Sequence, residues 1–351
     1  MKVWPKFIRD EDFTSGFTAG QLEDLVSRNR GFWEGFPKLS PVAFWETETY
    51  SFGKTYRSWL RWPWFFPLPM SGDHGVELQR RFSERELNSG ARTYLTWSSW
   101  RTQPIASSKL EVIQVPHPWV TYRRAKSLIK RVSASGTLIF VPHTIQSTTR
   151  AEFDFEHYLR SLESLPDHFK PFSFCLQMHD VRKGLHEELA KFGYPIFTAG
   201  NSSSPFFVDR FYDLILRFNF CTSNIAGSQS FYCEEAGVPY FLFGIENLEH
   251  ERGGPARSAY VGIDPDQIEK VKRVFSFANL GQSAEKASFV AETLGSGIDP
   301  KPVVKSLRRR LIMDVFCLGP LLTRLVLVNA FTSLRNFLTE GRLKPPPLLR
   351  K

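Results

Sequence analysis

The second half of the chain alternates short apolar runs with longer segments of mixed polarity. The apolar runs lie at residues 137–141, 172–177, 195–197, 219–222 and 240–243. Between them, helices are predicted at residues 152–165, 181–192 and 206–217. Short apolar strands that alternate with helices predict a parallel, doubly wound sheet. From Gly136 onward the fold is therefore expected to be α/β.

The first half is less regular, although it also contains segments typical of strands and helices. Strands are predicted at residues 94–97 and 109–115, and helices at residues 19–28, 76–87 and 121–132. Residues 36–70 are expected to form an ordered loop, because prolines within residues 61–70 lack the backbone N–H that a helix needs. The change of pattern divides the chain into three parts, residues 1–134, 135–302 and 303–351.

Composition fits a folded protein in a reducing compartment. Of the 351 residues, 42% are hydrophobic and 23% are charged, which is typical of globular chains. The four cysteines form no Cys-x-x-Cys pair, so neither a zinc motif nor a disulfide framework is indicated. The first residues lack the apolar run of a secretory signal. A cytoplasmic location is expected.

The net charge of +9 belongs entirely to the C-terminal part. Residues 301–351 hold eleven basic and two acidic residues, interleaved with Leu, Val and Phe. A nucleic-acid-binding domain would spread its charge over a folded face, so no nucleic acid is expected as partner. Pro320 and Arg324 argue against a membrane-spanning helix. The pattern favours an amphipathic helix at the anionic inner leaflet of the plasma membrane, and the alternative is a helix that packs across the protein.

Residues 219–243 contain the motif with the most chemical content. A short strand is followed by Ser223-Asn224 and Gly227-Ser228, and then by a helix with Glu234 and Glu235. A glycine turn that opens a helix leaves backbone N–H groups at the positive end of the helix dipole, where phosphate binds well. An acid about two turns into the helix is a candidate ligand of a ribose hydroxyl. The alternative is an ordinary βαβ turn.

Polar residues or glycines follow the other predicted strands as well. The full set at the strand ends and in the helix after them is His143, His179, Gly200, Asn201, Ser223, Asn224, Gly227, Ser228, Glu234 and Glu235. In an open parallel sheet the carboxyl ends of the strands share one crevice, which is where ligands bind. We predict a nucleotide there, with its diphosphate at Gly227 and Ser228 and with His143 donating to a phosphate. Gly200 would let the backbone pass close to a base or sugar.

A reaction would need a group that faces this crevice from the first half. The turn Ser71-Gly72-Asp73-His74-Gly75 presents an acid and an imidazole between two glycines. Asp73 or His74 is predicted to remove a proton from an acceptor hydroxyl; the alternative is a surface turn. His117, between two prolines, is a candidate residue for binding the acceptor or for supporting the site. The alternative is that Pro-His-Pro forms a rigid structural corner. P-loop, dinucleotide-binding and nucleophile-elbow motifs do not occur.

Several of these segments resemble GT-B glycosyltransferases, and in particular bacterial proteins of capsule and O-antigen biosynthesis. The resemblance covers residues 65–245 and is carried by residues 73–75, 116–119, 142–143, 198–200, 209–212 and 222–244. It implies two Rossmann-like domains that face a central crevice, plus an amphipathic helical tail. The donor would be a nucleotide-sugar, with a glycan or lipid-linked acceptor and with neither a cofactor nor a bound metal. A more distant resemblance, to transferases that use CMP-sugars, is weakened by Thr144, where those enzymes have proline.

Three functions are compatible with these observations. The first is a sugar transferase of inverting or retaining type, with residues 1–134 on the acceptor side. The second is a sugar-nucleotide epimerase of related fold, which would need neither a lipid-linked acceptor nor a basic tail. The third is a non-catalytic binding or scaffold protein of the same pathway. The basic tail favours the first function over the second.

Overall fold

The computed structural model describes residues 15–27, 48–63, 68–87, 89, 91–101, 110–142, 148–150, 154–244, 248–251, 256–258, 260, 263–281 and 283–340. Its helices are α1 (Ala19–Val26), α2 (Phe52–Leu60), α3 (Glu84–Leu87), α4 (Pro118–Ala125), α5 (Phe155–Glu163), α6 (Met178–Arg182), α7 (Leu185–Ala190), α8 (Phe207–Ile215), α9 (Ser228–Glu235), α10 (Pro265–Val274), α11 (Ala284–Leu294) and α12 (Pro300–Glu340). Its strands are β1 (Ser71–Gly72), β2 (Thr93–Thr96), β3 (Glu111–Gln114), β4 (Thr137–Phe140), β5 (Thr148–Arg150), β6 (Phe172–Cys175), β7 (Ile196–Phe197), β8 (Phe220–Ser223), β9 (Tyr240–Leu242), β10 (Leu248–Glu251) and β11 (Ala256–Ser258).

The largest described sheet is parallel and has five strands. Its order is β7-β6-β4-β8-β9, so the chain moves first to one side of β4 and then to the other. Leu138 of β4 pairs with Ser173 on one side and with Cys221 on the other. This order confirms the α/β class and the parallel sheet predicted for the second half.

Both faces of this sheet are buried, as a doubly wound sheet requires. Along β4 and just beyond it, Leu138 and Phe140 contribute to one hydrophobic cluster, whereas Ile139 and Val141 contribute to another. Successive residues of a strand point to opposite faces, so a continuous apolar run is what a sheet covered on both sides needs.

A second parallel sheet, β1-β2-β3, is built from the first half of the chain. Its core is continuous with one face of the larger sheet, since a single cluster includes Leu95, Val115, Leu138 and Cys221. The predicted boundary after residue 134 therefore falls within a shared hydrophobic core. The division into two domains stays a prediction. A third sheet, β11-β10-β5, is antiparallel and was not predicted.

Several element boundaries differ from the predictions for local reasons. Helix α2 was missed. The helix expected over residues 76–87 is helical only at Glu84–Leu87. The segment 181–192 contains parts of two helices, divided at Gly184, whose positive φ of 83° ends the first of them. Helix α4 begins earlier than predicted because the His117 side chain accepts from the Trp119 N–H and Pro118 occupies the first turn.

The C-terminal segment forms the single long helix α12, which has buried residues near its beginning and exposed apolar residues farther along. Leu307 and Leu311 are fully buried in the shared core, and Asp314 accepts a hydrogen bond from Thr93 Oγ1 of β2 at 2.7 Å. Farther along, Phe316 and Phe331 are exposed. The beginning of the helix therefore packs against the first sheet. Among the described residues, no helix combines the length and the apolar composition needed to cross a bilayer.

Candidate functional site

The order of the large sheet reverses between β4 and β8, and ligands of open α/β sheets bind at such a switch point. Beyond β8 the chain runs through Ser223 and Asn224 to Gly227, which is the N-cap of helix α9. Beyond β4 the description ends at Pro142, so His143 lies outside the described residues. The predicted phosphate turn therefore lies at the switch point.

Side chains of the loop after β8 hold its backbone in place. Ser223 is fully buried, and its Oγ accepts from the Ile225 N–H at 3.3 Å. The Tyr260 hydroxyl accepts from the Ala226 N–H at 2.7 Å. Ser223 and Tyr260 thus hold the loop that leads into helix α9. The first backbone N–H groups of a helix have no partner one turn earlier in the helix, which keeps the Gly227-Ser228 end of α9 a candidate anion site.

The ends of β6 and β7 are partly covered by other parts of the chain. Gly200 has a φ of 82°, and a Cβ there would lie 2.8 Å from the Leu25 carbonyl oxygen of α1. Asn201 is buried, and its backbone N–H donates to the same oxygen at 3.0 Å. The close approach predicted at Gly200 is therefore made by a helix backbone. His179 is half-buried in α6, and its N–H donates to Gln177 Oε1 at 2.6 Å.

Tyr50 connects several of these strand ends, and sequence reasoning missed it. Its backbone N–H donates to the Ser202 carbonyl at 2.6 Å, and its side chain hydrogen-bonds Gln177. Its ring centroid lies 5.2 Å from that of His74. Tyr50 also has a φ of 53°, an uncommon conformation for a residue with a bulky side chain. The only sequence signal was its place in an aromatic-rich segment that was expected to be a loop.

The predicted catalytic turn and the predicted phosphate turn are in direct contact. Asp73, His74 and Gly75 follow β1, and the Val76 N–H donates to Ser228 Oγ at 2.8 Å. Gly75 has a φ of 80°, and a Cβ there would lie 2.6 Å from the same oxygen. Only glycine fits this conformation and this space without strain. The carboxyl edge of the first sheet therefore meets the start of helix α9.

Asp73 lies in a buried polar network. Its carboxylate accepts from Tyr94 Oη at 2.9 Å and from Thr96 Oγ1 at 2.7 Å. Arg101, itself 1% exposed, lies 2.8 Å away. Burial raises the pKa of Asp73 to about 6, although the Arg101 guanidinium and the two hydroxyls oppose the rise. Asp73 is therefore ionised near neutral pH, and its role as a base stays a prediction.

Glu77 is a second carboxyl group of this turn, and sequence reasoning did not select it. It lies 3.7 Å from Arg101, is hydrogen-bonded to the His74 backbone, and retains 26% exposure of its side chain. Burial, reinforced by the charge of Asp73, raises the pKa of Glu77 to about 8. It was overlooked because it lies within a segment predicted to be a polar helix. Glu77 is more accessible than Asp73, so it is a further candidate for proton transfer.

His117 supports the start of helix α9 from the first sheet. It is fully buried, and its Nδ1 accepts from the Trp119 N–H at 3.1 Å. This contact assigns the proton to Nε2, which lies 3.0 Å from Tyr232 Oη and donates to it. Burial lowers the pKa of His117 well below its usual value, so the ring is neutral. The Tyr232 hydroxyl in turn hydrogen-bonds Ser228, so His117 acts on the turn indirectly.

Glu234 and Glu235 lie at the far end of helix α9 from Ser228. Glu234 Oε1 accepts from the Tyr240 N–H at 2.8 Å and from Lys286 Nζ at 3.1 Å. Glu235 accepts two hydrogen bonds from Arg123, at 2.7 and 2.8 Å. Six residues of helix span about 9 Å, so these acids lie toward the amino end of β9. The structure does not bring them to the switch point, and their assignment to a ribose stays a prediction.

The expectation of metal independence relied on the absence of an Asp-x-Asp motif, which is wrong, because two Asp-x-Asp sequences occur in the chain. One, at residues 10–12, lies outside the described residues. In the other, Asp264 caps helix α10 by accepting from the Asp266 N–H at 3.1 Å. Its hydrogen bond to Asp266 gives Asp264 a structural role at a helix start.

Comparisons with known proteins give only distant similarities. No family model and no curated protein matches the chain. Among solved structures, the pneumococcal O-GlcNAc transferase GtfA in complex with UDP and GlcNAc is similar at 8% identity and a TM-score of 0.30, over 64% of this chain and 46% of that one. The wall teichoic acid polymerase TagF is similar at 13% identity and a TM-score of 0.30, over 73% and 67%. The chain thus spans less than half of the first protein. Similarity at this level establishes no shared function.

The buried pair of Glu234 and Lys286 predicts a large effect on stability. Replacement of Glu234 by alanine leaves the Lys286 ammonium buried without its carboxylate, which typically costs about 3–5 kcal/mol. The double variant Glu234→Gln, Lys286→Met should recover much of this loss. Denaturant unfolding measures both effects. If Glu234 instead serves mainly to bind a ribose, its variants will lose nucleotide affinity at nearly unchanged stability.

The raised pKa values of Asp73 and Glu77 predict that stability falls as the pH rises. In the unfolded chain, the Glu77 carboxyl group loses its proton above the ordinary pKa of a glutamate. In the folded protein, Glu77 keeps that proton up to about pH 8. The folded state then binds more protons, so the free energy of unfolding decreases between about pH 4.5 and 8. Denaturant unfolding at several pH values measures the slope. The variant Glu77→Gln should flatten the slope between pH 6 and 8, and an unchanged slope there would contradict the assignment.

Proposed function

We propose that the protein is a glycosyltransferase that moves a sugar from a nucleotide-sugar donor to a hydroxyl of a glycan or lipid-linked acceptor. The observation that carries this proposal is the hydrogen bond from the Val76 N–H to Ser228 Oγ at 2.8 Å. It brings the acidic turn that follows β1 next to the helix start that follows β8. The proposed proton acceptor and the proposed diphosphate-binding turn are therefore adjacent.

The donor would bind at the switch point, with its diphosphate at the start of helix α9. The backbone N–H groups of the first turn and the helix dipole favour negative charge there. A Cβ at Gly227 would collide with the Gln229 side chain, so that flexible side chain covers the turn and would move aside for the donor, and Ser228 is half-buried. The same groups would stabilise the charge that develops on the diphosphate as the donor bond breaks, which is how an anion site contributes to rate.

The acceptor would be activated by the turn that contains Asp73, His74 and Glu77. A base removes the proton of the acceptor hydroxyl, whose oxygen then forms a bond to the anomeric carbon. The bond from that carbon to the diphosphate oxygen breaks, and the nucleotide leaves with the electron pair. With a pKa of about 6, Asp73 is ionised at neutral pH, while Glu77, at about 8, still holds its proton. Asp73 is therefore the stronger candidate for the base. Glu77 would transfer the proton between Asp73 and the exposed side of the turn.

Binding and turnover can test donor and base together. Among UDP, GDP, CMP and TDP, at least one should stabilise the protein, by about 2.7 kcal/mol at 100 times its Kd. Asp73→Asn, His74→Ala and Glu77→Gln should retain this thermal shift. At least one of them should lower turnover by about 10² or more, as expected for loss of a general base. Nucleotide release in the presence of an acceptor measures turnover.

The matched control is Glu84→Gln, which changes an exposed acid of the same segment. Wild-type turnover in all three turn variants would exclude the turn from the mechanism, and the absence of any thermal shift would exclude the nucleotide site. Conversion of a nucleotide-sugar without an acceptor would identify an epimerase. Nucleotide binding with neither reaction would favour a non-catalytic binding protein.

We further propose that the exposed face of helix α12 binds the anionic surface of a membrane. At 100° per residue, Phe316, Leu327 and Phe331 lie on one side of the helix, and Leu307 and Leu311 lie on the other. The exposed side is therefore apolar, and Lys305 and Arg309 extend it with positive charge. An apolar stripe joined to basic residues is typical of helices that lie in the membrane interface. Such a helix suits an enzyme whose acceptor is linked to a lipid.

The buried face of α12 determines how this proposal is tested. Truncation at residue 303 would remove Leu307 and Leu311 from the core, so substitution of the exposed face is the cleaner change. The triple variant Phe316→Ser, Leu327→Ser, Phe331→Ser should release the protein from anionic vesicles. Higher salt should weaken binding of the intact chain, because each basic residue near such a surface contributes about 1 kcal/mol that salt screens. Co-sedimentation with vesicles measures binding.

Ile129→Ser with Val132→Ser is the matched control, since these residues are also exposed and apolar but lie elsewhere. This control should bind vesicles like the intact chain. Equal failure of the intact chain to bind anionic and neutral vesicles would overturn the membrane proposal. Self-association that the triple variant abolishes, without vesicle binding, would instead identify the face as an interface between copies.

A further inference from the structure

Three side chains that could coordinate a metal ion meet where helix α1 packs on helix α7. Glu23 belongs to α1, whereas His186 and Glu187 are neighbours on α7. One ligand atom from each lies within 4.8 Å of the other two. This cluster is separate from the Asp73 turn and from the start of helix α9. None of the three residues was singled out by the sequence.

His186 is the part of the cluster that points to a ligand. The residue is 3% exposed, yet neither ring nitrogen has a hydrogen-bond partner among the described residues. The nearest carboxylate oxygen, Oε1 of Glu23, lies 3.6 Å from Nε2, which is beyond hydrogen-bond distance. Buried polar side chains are normally paired, so an imidazole in this position needs an explanation.

We infer that Glu23, His186 and Glu187 form a site for a divalent transition metal such as Zn²⁺. One imidazole nitrogen and two carboxylate oxygens are a ligand set that zinc accepts, at about 2.0–2.2 Å from the ion. Ligand atoms that share an ion must then lie within about 4 Å of one another, so a small closure is needed. Glu23 and Glu187 are exposed and can rotate toward the buried imidazole.

The site would hold α1 in the place where it covers the end of β7. The Leu25 carbonyl of α1 accepts from the Asn201 N–H at 3.0 Å, and the Val26 carbonyl accepts from Arg182. In addition, Leu22 and Val26 of α1 pack into a hydrophobic cluster on one face of the large sheet. A metal that joins α1 to α7 would therefore stabilise the cover over Gly200 and Asn201. The role is structural, and no step of the proposed reaction uses the ion.

Metal binding by the intact, untagged chain tests this inference. After treatment with a chelator and dialysis, Co²⁺ should bind at one equivalent with visible absorption typical of low coordination, and Zn²⁺ should displace it. Glu23→Gln and Glu187→Gln should each weaken the affinity by at least about tenfold, since loss of even an outer-shell partner costs about 10- to 100-fold. Zn²⁺ should raise the melting temperature of the wild type and not that of the double variant.

Glu188→Gln is the matched control, because Glu188 is an exposed acid of the same helix that is not part of the cluster. It should bind Co²⁺ like the wild type. Equal affinity in the wild type and the double variant would show binding at unrelated groups and would overturn the inference. Absence of any Co²⁺ or Zn²⁺ binding would also overturn it and would leave a His186–Glu23 ion pair as the explanation.

Discussion

The contact between Gly75-Val76 and Ser228 is the constraint on which the candidate site depends. A turn that follows a strand of the first sheet touches the start of the helix that follows β8 of the second. A Cβ at residue 75 would lie 2.6 Å from Ser228 Oγ, and the φ of 80° there disfavours other residues, so glycine permits this close approach of the two edges. His117 also supports the start of this helix. Its neutral ring donates to the Tyr232 hydroxyl, which hydrogen-bonds Ser228.

This arrangement explains how the Asp73 carboxylate can lie next to the candidate anion site at the start of helix α9 without the two charges neutralising each other. The carboxylate of Asp73 points into the first sheet, where Tyr94, Thr96 and Arg101 satisfy it. The first N–H groups of helix α9 lie at its Ser228 end and point away from the rest of the helix. The positive end of the helix dipole therefore does not have to neutralise Asp73, because Arg101 is the cation beside that acid.

The parts of the fold that could be predicted are those determined by local sequence. The apolar runs at β4, β6 and β8 are buried on both faces, and their pattern was sufficient to predict a parallel sheet. Polar residues follow β6 and β8 as expected, because the chain must turn there, whereas His143 after β4 lies outside the described residues. The contact of Gly75 with Ser228 joins residues more than 150 positions apart, and no periodicity in the sequence encodes it.

The side-chain orientations and elements that the sequence does not indicate depend on tertiary partners. Glu234 was expected to face the ligand, but its orientation is determined by Lys286 of α11 and by the start of β9. Tyr50 adopts a positive φ because Ser202 and Trp119 hold its backbone, and its own sequence neighbours do not indicate this. Leu307 and Leu311 of helix α12 pack into the core shared by the two sheets, and the sequence alone did not distinguish them from the exposed Phe316 and Phe331.

The charge balance around Arg101 connects the fold to the proposed chemistry. One guanidinium, 1% exposed, lies 2.8, 3.7 and 2.7 Å from carboxylate oxygens of Asp73, Glu77 and Glu86. Three carboxylates near one buried cation cannot all ionise without a large cost, so the cluster retains a proton near neutral pH. Because these carboxyl groups interact, they titrate as a coupled set and the retained proton belongs to the cluster as a whole. Burial thus gives the turn a carboxyl group with a pKa of about 6, close to neutral pH, which is the property that the proposed base needs.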